Sequence, residues 1–219
     1  MNLKTEMVSL SPGARHPHRR GQALIEFVVV AVPVMMVLVF GAIELGILIG
    51  SLNRMAAADR EGARMYMRWS IDATATGASS EIQTKVVTPM MSSVVQSGES
   101  SSIYQVVVSS LIRLDGPNRS THTANSTTDD VIIIDKQFYY SGGNASSGSY
   151  SRIGAVDTVL AQNLPNGNPD TSKLLTIDYL AAGEKSVCVE IFRTYTTVTP
   201  LGKIVSGLIP GTLYDRCFF

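Results

Sequence analysis

The sequence contains few of the side chains on which most catalytic and metal sites depend. It has three histidines in 219 residues. His16 and His18 lie close to the N-terminus and His122 lies in a Ser/Thr-rich stretch, so no histidine cluster can bind a metal or complete a catalytic triad. The acidic residues follow no calcium-loop spacing, and no glycine-rich phosphate loop is present. We therefore predict a protein that is not an enzyme and that uses no metal or cofactor.

Charge is also scarce, and it is balanced. Charged residues make up 16% of the chain, against about 25% in an average soluble domain. The 18 basic and 18 acidic residues cancel to a formal net charge of +0. The chain therefore lacks the overall basic character of nucleic-acid-binding proteins, and we predict no nucleic-acid partner. The missing charge is concentrated between Ala23 and Gly50, where Glu26 and Glu44 are the only charged residues.

This apolar stretch, ALIEFVVVAVPVMMVLVFGAIELGILIG, is long enough to cross a membrane. A spanning helix needs roughly 17–25 mostly apolar residues, and a buried helix of a soluble protein is rarely apolar on every face. The charged residues that precede the stretch are mainly basic. They are Lys4, Arg15, Arg19 and Arg20, with Glu6 as the one acidic residue. Because cationic flanks stay in the cytoplasm, we predict a single-pass membrane protein with a cytoplasmic N-terminus and an exported C-terminal domain.

The start of the apolar stretch holds an acidic residue. Glu26 follows Gly21 and Gln22 and directly precedes Phe27. A carboxylate in a membrane helix costs about 2.5–3.5 kcal/mol at mid-bilayer and less near the interface, and the helix dipole offsets part of this cost. Glu26 could therefore simply lie at headgroup level. Alternatively it is functional, because Gln22 and Glu26 share one helix face, where an ammonium freed at Gln22 could pair with the carboxylate.

Further features lie deeper in the stretch. Pro33 removes one backbone hydrogen bond, which membrane helices tolerate. Gly46 and Gly50 fit the small-xxx-small pattern that lets helices approach closely. Glu44 is costly at this depth unless it has a partner or marks the outer interface, about 20 residues after the start of the span. The residues that follow favour helix, so we predict that the helix leaves the membrane unbroken and ends within 69–74.

The N-terminal region could also be a secretory signal peptide or an uncleaved signal anchor. A secretory signal peptide has an apolar core of about 7–15 residues and a small-residue cleavage site. Ala56-Ala57-Ala58 could be that site and would give a secreted protein that starts near Asp59. The apolar stretch here is about twice as long as such a core and carries acids at both ends. An uncleaved signal anchor needs nothing beyond hydrophobicity.

Taken together, these features resemble those of a known family. A basic leader that ends in Gly21 and is followed by Glu26 and Phe27 resembles the processing site of type IV prepilins. Pro33, residues 41–46 (GAIELG) and residues 60–64 (REGAR) resemble TadE-like minor pseudopilins of the tight-adherence, or Flp, type IV pilus system. The resemblance covers residues 19–68.

The resemblance implies a role in pilus assembly. A prepilin peptidase would cut between Gly21 and Gln22, which leaves Glu26 as the fifth mature residue. The product would be a minor pilin-like component of the bacterial inner membrane, with its C-terminal domain in the periplasm or in a surface fibre, supporting fibre assembly, adhesion and biofilm formation. The implied partners are the peptidase, membrane lipid, other pilin-like subunits and pilus assembly proteins. The residues implied in assembly are Glu26, Pro33, Glu44, Gly46, Gly50, Arg60, Glu61 and Arg64. The alternative is a single-pass exported binding module that never enters a filament.

The chain after Trp69 is rich in Ser, Thr, Gly and Asn and predicts a small α+β domain. Apolar spacing predicts a helix over 81–96, interrupted by Pro89, and a short helix over 153–163. Residues 115–130 and 141–148 predict polar loops, and 199–208 a turn and short helix.

Strands are predicted where β-branched and aromatic residues concentrate. These regions are 103–114, 131–140 and 186–195, with 175–180 and 195–198 as further pairing partners. We predict an antiparallel sheet packed on the outer half of the long helix. The predicted organisation is a cytoplasmic leader (1–21), a transmembrane helix (22–50), an exported helix extension (51–74) and the exported α+β domain (75–219).

The two cysteines both lie in the C-terminal portion, at Cys188 and Cys217. In an exported domain, two cysteines predict a disulfide; in a cytosolic domain they would be free thiols. A Cys188–Cys217 bridge would close a loop of about 30 residues, contribute about 3 kcal/mol and pin the C-terminus to the sheet.

Overall fold

A long helix and an antiparallel sheet form the fold in the computed structural model. It describes residues 18–114, 130–148, 150–162, 170–181, 184–200, 202, 207 and 210–219, with the backbone alone for residues 18–20 and 23. Parts of three predicted elements lie outside the described residues. These parts are residues 1–17 of the predicted leader (1–21), residues 115–129 of the predicted loop (115–130) and most of the predicted turn and short helix over 199–208.

The long helix, α1, runs from His18 to Arg68 and contains 51 residues. It continues through Pro33 without a break and ends one residue before the predicted range. Of the helices in the described residues, it alone is long and apolar enough to cross a membrane. The predicted unbroken helix is confirmed.

The two halves of α1 differ in what covers them. In the first half the apolar side chains face outward, and Leu24 is 65% and Phe27 71% exposed. Glu44, which is 5% exposed, is the first buried residue among the described side chains of α1. A helix rises about 30 Å between Leu24 and Ile43, which is about the thickness of the hydrocarbon core of a bilayer. The uncovered half therefore has the length of one membrane span.

A short helical layer packs beside the second half of α1. It consists of α2 (Ala78–Ile82), one π-helical turn (Gln83–Val87) and α3 (Thr88–Val94). The predicted helix over 81–96 is confirmed in outline. Pro89 lies in the first turn of α3, where a missing backbone N–H is tolerated, so the helical layer continues past it.

The sheet has six strands, and each observed pairing is antiparallel. The strands are β1 (Tyr104–Leu114), β2 (Val131–Ser141), β3 (Asn144–Ser146), β4 (Val159–Gln162), β5 (Lys185–Thr194) and β6 (Thr212–Phe218). Their order is β3-β2-β1-β5-β6, and β4 pairs with β2 beside β3. β1, β2 and β5 confirm the three main predicted strands.

The two faces of the sheet bury different clusters, because side chains alternate along each strand. One face packs on α1 and the helical layer and includes Val106, Val189 and Met90. The other face is covered by the segment between β4 and β5 and includes Ile132 and Cys188. The predicted α+β class, with an antiparallel sheet on the outer half of the helix, is confirmed.

Some predicted elements are wrong. The region predicted as a short helix over 153–163 forms a loop and then β4, with Asn163 outside the described residues. Gly154 and Asp157 have φ angles of 122° and 67°, which a right-handed helix cannot contain. Residues 175–180 form no strand but include a short 3₁₀ helix, Ile177–Tyr179, and 195–198 leave the sheet.

Besides β4, two further strands were not predicted. Part of the predicted loop over 141–148 is a tight turn at Gly142 and Gly143, with φ angles of 60° and 87°, followed by β3. Two consecutive positive φ angles are typical of a two-residue hairpin turn, which glycine permits without strain. The second unpredicted strand is β6, which pairs along β5 and contacts α1.

The predicted Cys188–Cys217 disulfide is wrong in this structure, where both cysteines are free thiols. Cys188 lies opposite Phe218, and Cys217 lies opposite Val189. The two cysteines are therefore offset by one residue, which turns their side chains to opposite faces of the sheet. Cys188 packs in the cluster away from α1, whereas Cys217 packs against the cluster that contains α1.

Candidate functional site: the junction of helix and sheet domain

Glu44 joins the uncovered half of α1 to the domain that contains the sheet. Its Oε1 accepts hydrogen bonds from the Tyr195 hydroxyl at 2.7 Å and the Val198 backbone N–H at 3.2 Å, and its Oε2 accepts one from the Thr199 N–H at 3.0 Å. Burial and the neighbouring carboxylate raise the pKa of Tyr195 to about 12, so this hydroxyl stays protonated and can donate. Three donors from the segment after β5 thus converge on one carboxylate of the helix.

The segment that receives Glu44 is folded closely around it. The Thr199 hydroxyl accepts a hydrogen bond from the Gly202 N–H at 3.0 Å. A Cβ at Gly202 would lie 2.6 Å from the Cβ of Thr197 and 3.0 Å from Oε2 of Glu44. Glycine is therefore required at position 202, because a Cβ there would collide with Thr197 and with the carboxylate of Glu44.

A second polar contact lies farther along α1, two turns beyond Glu44. Arg193 of β5 forms an ion pair with Glu99, and its guanidinium also donates to the Ser51 hydroxyl of α1. Ser51 in turn donates to the Ile47 carbonyl at 2.8 Å, and the Tyr104 hydroxyl donates to Glu99 at 2.8 Å. The side chains of Arg193 and Glu99 are 11% and 16% exposed, so this is a largely desolvated pair.

Glu99 makes stability depend on pH in the acid range. Burial alone would raise its pKa, but the Tyr104 hydroxyl, the Gln96 N–H and the Arg193 guanidinium hold the pKa of Glu99 below its ordinary value. A lowered folded-state pKa gives a contribution that is fully present above the unfolded value, about 4.3, and is lost as pH falls through the folded value.

We therefore expect Glu99→Gln to flatten the acid limb of the stability curve. The free energy of unfolding of the detergent-solubilised chain would be measured by denaturant titration at a series of pH values. The difference between wild type and variant should be largest above about pH 5 and shrink below about pH 4. A difference that does not change with pH would contradict this assignment.

Asp59 is a buried acid without the partners that Glu44 has. It is 1% exposed, and neither carboxylate oxygen has a hydrogen-bond partner among the described residues. The nearby charged groups are Asp215 of β6, which is also acidic, and Arg60. Because an unpaired carboxylate loses its hydration on burial, Asp59 destabilises the contact between α1 and β6.

Burial and the neighbouring Asp215 raise the pKa of Asp59 to about 7. We therefore expect Asp59→Asn, which keeps nearly the same shape, to stabilise the protein by about 1–3 kcal/mol at neutral pH, with a gain that grows from about pH 4 to about pH 7 and then levels off. Denaturant unfolding in detergent would measure the change, with the exposed Glu61→Gln on the same helix as the matched control. A less stable Asp59→Asn variant would show that the carboxylate is satisfied by a group outside the described residues.

A third buried acid lies on the opposite face of the sheet. Glu190 of β5 is 0% exposed and accepts hydrogen bonds from the Ser151 hydroxyl, the Arg152 N–H at 2.9 Å and the Tyr214 hydroxyl at 2.9 Å. Phe192 packs against Tyr214, with 4.9 Å between ring centroids. Glu190 thus binds the segment before β4 to the sheet. Its side chain lies on the face away from α1, since its neighbours Val189 and Ile191 pack in the cluster that contains α1.

The residues of the predicted processing site lie on the uncovered half of α1. Gln22 Nε2 donates to Glu26 Oε1 at 3.2 Å, so the two side chains share one helix face. Phe27 is exposed, and a Cβ at Gly21 would meet no atom within 4 Å. Packing within the chain therefore does not require glycine at position 21.

The predicted assembly residues fall into three separate regions. The first region is the uncovered half of α1, with Glu26 and Pro33. The second is the junction, with Glu44 and, just beyond it, Gly46 and Gly50; a Cβ at either glycine would meet nothing within 4 Å. The last region is the REGAR stretch, residues 60–64.

The REGAR stretch has a buried side and an exposed side. Ala63 is buried, and a Cβ at Gly62 would lie 2.6 Å from the Sδ of Met90, so these small residues permit close packing of α3 on α1. The Arg64 and Glu61 side chains are 65% and 53% exposed, with 3.8 Å between Arg64 Nη1 and Glu61 Oε2. Arg60 is also exposed. The structure therefore does not bring the predicted assembly residues together into one site.

The comparison with known protein families gives a match that lies within α1. Residues 21–64 match the family of TadE-like proteins. The predicted resemblance is thereby confirmed for this TadE-like segment, which is about one fifth of the chain. It contains Gly21, Pro33, Glu44 and the REGAR stretch. No curated protein and no solved structure matches the chain.

Sequence reasoning predicted Glu44 of the TadE-like segment but not most of its partners. Tyr195 was predicted only as part of a strand region, and Arg193 and Glu190 were not singled out. One signal was available for Arg193. It follows Val189 and Ile191 at intervals of two residues, so it lies on the same apolar face of β5, the face predicted to pack on the helix. The identity of its acidic partner, Glu99, depends on the tertiary fold.

Proposed function

We propose that this chain is a minor pilin-like assembly component of a tight-adherence pilus. It would be anchored in the inner membrane by residues 22–50, with a cytoplasmic leader over 1–21 and an exported domain that begins with the helix extension. Its role would be non-enzymatic, in fibre assembly, adhesion and biofilm formation. The observation that carries the proposal is the match of residues 21–64 to TadE-like proteins on a helix whose first half is uncovered.

The uncovered half of the helix supports insertion among other helices. It is apolar, most of its described side chains are exposed, and it is about one bilayer thickness long. Membrane helices associate through close packing at small residues. Gly41, Gly46 and Gly50 have no neighbour within 4 Å of a Cβ position, so this surface is available to lipid and to the helices of other pilin-like subunits.

The predicted processing site is supported by a constraint that the fold does not explain. Gly21 lies on bare helix, where glycine destabilises by about 1 kcal/mol relative to alanine and serves no packing purpose. A peptidase that accepts glycine before the cut would explain this residue. Glu26 would then follow the new N-terminus on the same helix face as Gln22.

The alternative of a signal peptide cleaved near Asp59 conflicts with packing. Such a cut would remove Met55, which is 0% exposed, together with Ser51 and Glu44, which bind the exported domain. The exported domain would lose part of its core. A single-pass binding module that never enters a filament remains the second candidate, because it would need the same anchor and the same junction.

The test is the N-terminus of the mature chain. The protein would be expressed in a host that has the prepilin peptidase, extracted from membranes and sequenced from its N-terminus. We expect Gln22 as the first residue. Gly21→Ala should block processing without destabilising the helix, which it should instead stabilise by up to about 1 kcal/mol, and Gly50→Ala, which is equally free of neighbours, should be processed normally. Wild-type chains that begin at Met1 would favour the uncleaved binding module, and chains that begin near Asp59 would favour the secreted protein.

A further inference from the structure

We propose that the groove around Trp69 is a docking site for an acidic segment of a partner protein. This groove, called here the Trp69 groove, lies between the end of α1 and the π-helical turn with α3. It has a volume of about 580 Å³, and its main lining residues are Arg64, Met65, Arg68, Trp69, Lys85 and Pro89. The inference goes beyond the proposed function, since most of the groove lies outside the TadE-like segment.

The charges of the groove favour an anionic occupant. Three of its lining residues are cationic, namely Arg64, Arg68 and Lys85; the nearby carboxylates are Glu61 in the lining and Glu81, which pairs with Lys85, so one positive charge is left over. Arg60, Arg64 and Arg68 follow each other at intervals of four residues, so they form one row on the exposed face of α1, about 6 Å apart along the axis. In this row Arg64 is paired only at 3.8 Å and is 65% exposed, so its guanidinium is available to a second carboxylate.

The apolar lining favours a protein as the occupant. Trp69 is 53% exposed, and the Lys85 ammonium lies 4.8 Å from the centre of its ring. Lys85 is also held by Glu81 at 2.6 Å, so the ring and the cation are fixed before any partner arrives. Tryptophan, methionine and arginine are the residues most enriched at the centres of protein interfaces, and the side chains of the groove include all three.

Position excludes the membrane as the occupant. Arg68 lies about 36 Å beyond Glu44 along an α-helix. If Glu44 lies at the outer edge of the bilayer, the groove is several Debye lengths away from lipid headgroups. A peptide carboxylate can pair with an arginine through two parallel hydrogen bonds, and a neighbouring apolar side chain can cover Trp69. The geometry therefore points to a partner segment that carries carboxylates beside an aliphatic or aromatic residue.

The chain offers a built-in reporter, because Trp69 is its single tryptophan. The full chain in detergent micelles would be titrated with a helical peptide that has glutamate at every fourth position and leucine beside it. The matched peptide would carry glutamine in place of each glutamate. Trp69 emission would be followed at low and high salt, for wild type, for R64E/R68E and for K136E. Lys136 is exposed on β2 and lies outside the groove, so K136E is the control for reversing a surface charge elsewhere on the protein.

We expect the glutamate peptide to shift Trp69 emission to shorter wavelength in a saturable way, with weaker binding at high salt. R64E/R68E should bind about tenfold less tightly or worse, while K136E should bind like wild type. Equal binding of the glutamine peptide, or equal binding by R64E/R68E with unchanged circular dichroism, would overturn the proposal. So would the absence of a saturable change up to about 1 mM peptide. A response to polyphosphate but not to the glutamate peptide would overturn it in favour of an anionic polymer.

Discussion

Glu44→Ala is expected to lower the free energy of unfolding by about 3–5 kcal/mol, because it leaves two buried donors and one partly buried donor without an acceptor. These donors are the Tyr195 hydroxyl and the N–H groups of Val198 and Thr199. None of them can turn to solvent without moving the segment after β5 away from α1. The loss should therefore appear first as release of that segment from the helix.

The measurement combines denaturant unfolding in detergent with limited proteolysis of the segment at 195–200. Glu44→Gln keeps the shape and one acceptor oxygen, so its loss should be smaller than that of Glu44→Ala. Glu61→Gln, on the same helix but exposed, should stay within about 0.5 kcal/mol of wild type. Equal stability of Glu44→Ala and Glu61→Gln would show that Glu44 does not stabilise the contact between α1 and the segment after β5.

Glu190→Ala is expected to lower the free energy of unfolding by a similar amount, about 3–5 kcal/mol, but in a different place. The acceptor removed is 0% exposed, and the donors left unpaired are the Ser151 hydroxyl, the Arg152 N–H and the Tyr214 hydroxyl. The segment before β4 should loosen from the sheet, while the contact of Glu44 with Tyr195 should persist.

Hydrogen exchange distinguishes the two variants. In Glu190→Ala we expect faster exchange at Arg152, whereas in Glu44→Ala we expect faster exchange at Val198 and Thr199. Lys136→Ala, an exposed substitution on the same sheet, is the control and should leave both segments protected. If Glu190→Ala also released Val198 and Thr199, the two buried acids would belong to one cooperative unit.

The sequence was sufficient to predict elements whose signal is local. The α1 helix follows from an apolar stretch continued by strong helix formers, and β1, β2 and β5 follow from runs of β-branched residues. The failures came where a local pattern was weak. β6, Thr212–Phe218, has no regular alternation of polar and apolar residues and includes the adjacent charges Asp215 and Arg216, so only its pairing with β5 makes it a strand.

The cysteines illustrate a second limit. Composition and compartment predicted a bridge between Cys188 and Cys217, but bonding depends on strand register. A register in which Cys217 lies opposite Val189 rather than Cys188 puts the two thiols on opposite faces. No property of either residue reveals this offset before the partner strand is known.

The amino-acid sequence by itself determined that this protein has one membrane-length helix with an acid at each end, and that the helix resembles TadE-like proteins. These properties depend on hydropathy and on short motifs, which neighbouring residues specify. The tertiary structure alone decided what each buried acid does. Glu44 binds the segment after β5, Asp59 has no partner among the described residues, and Glu190 holds the far face of the sheet. A carboxylate is costly to bury wherever it lies, and only the donors brought to it by distant parts of the chain decide whether that cost is offset.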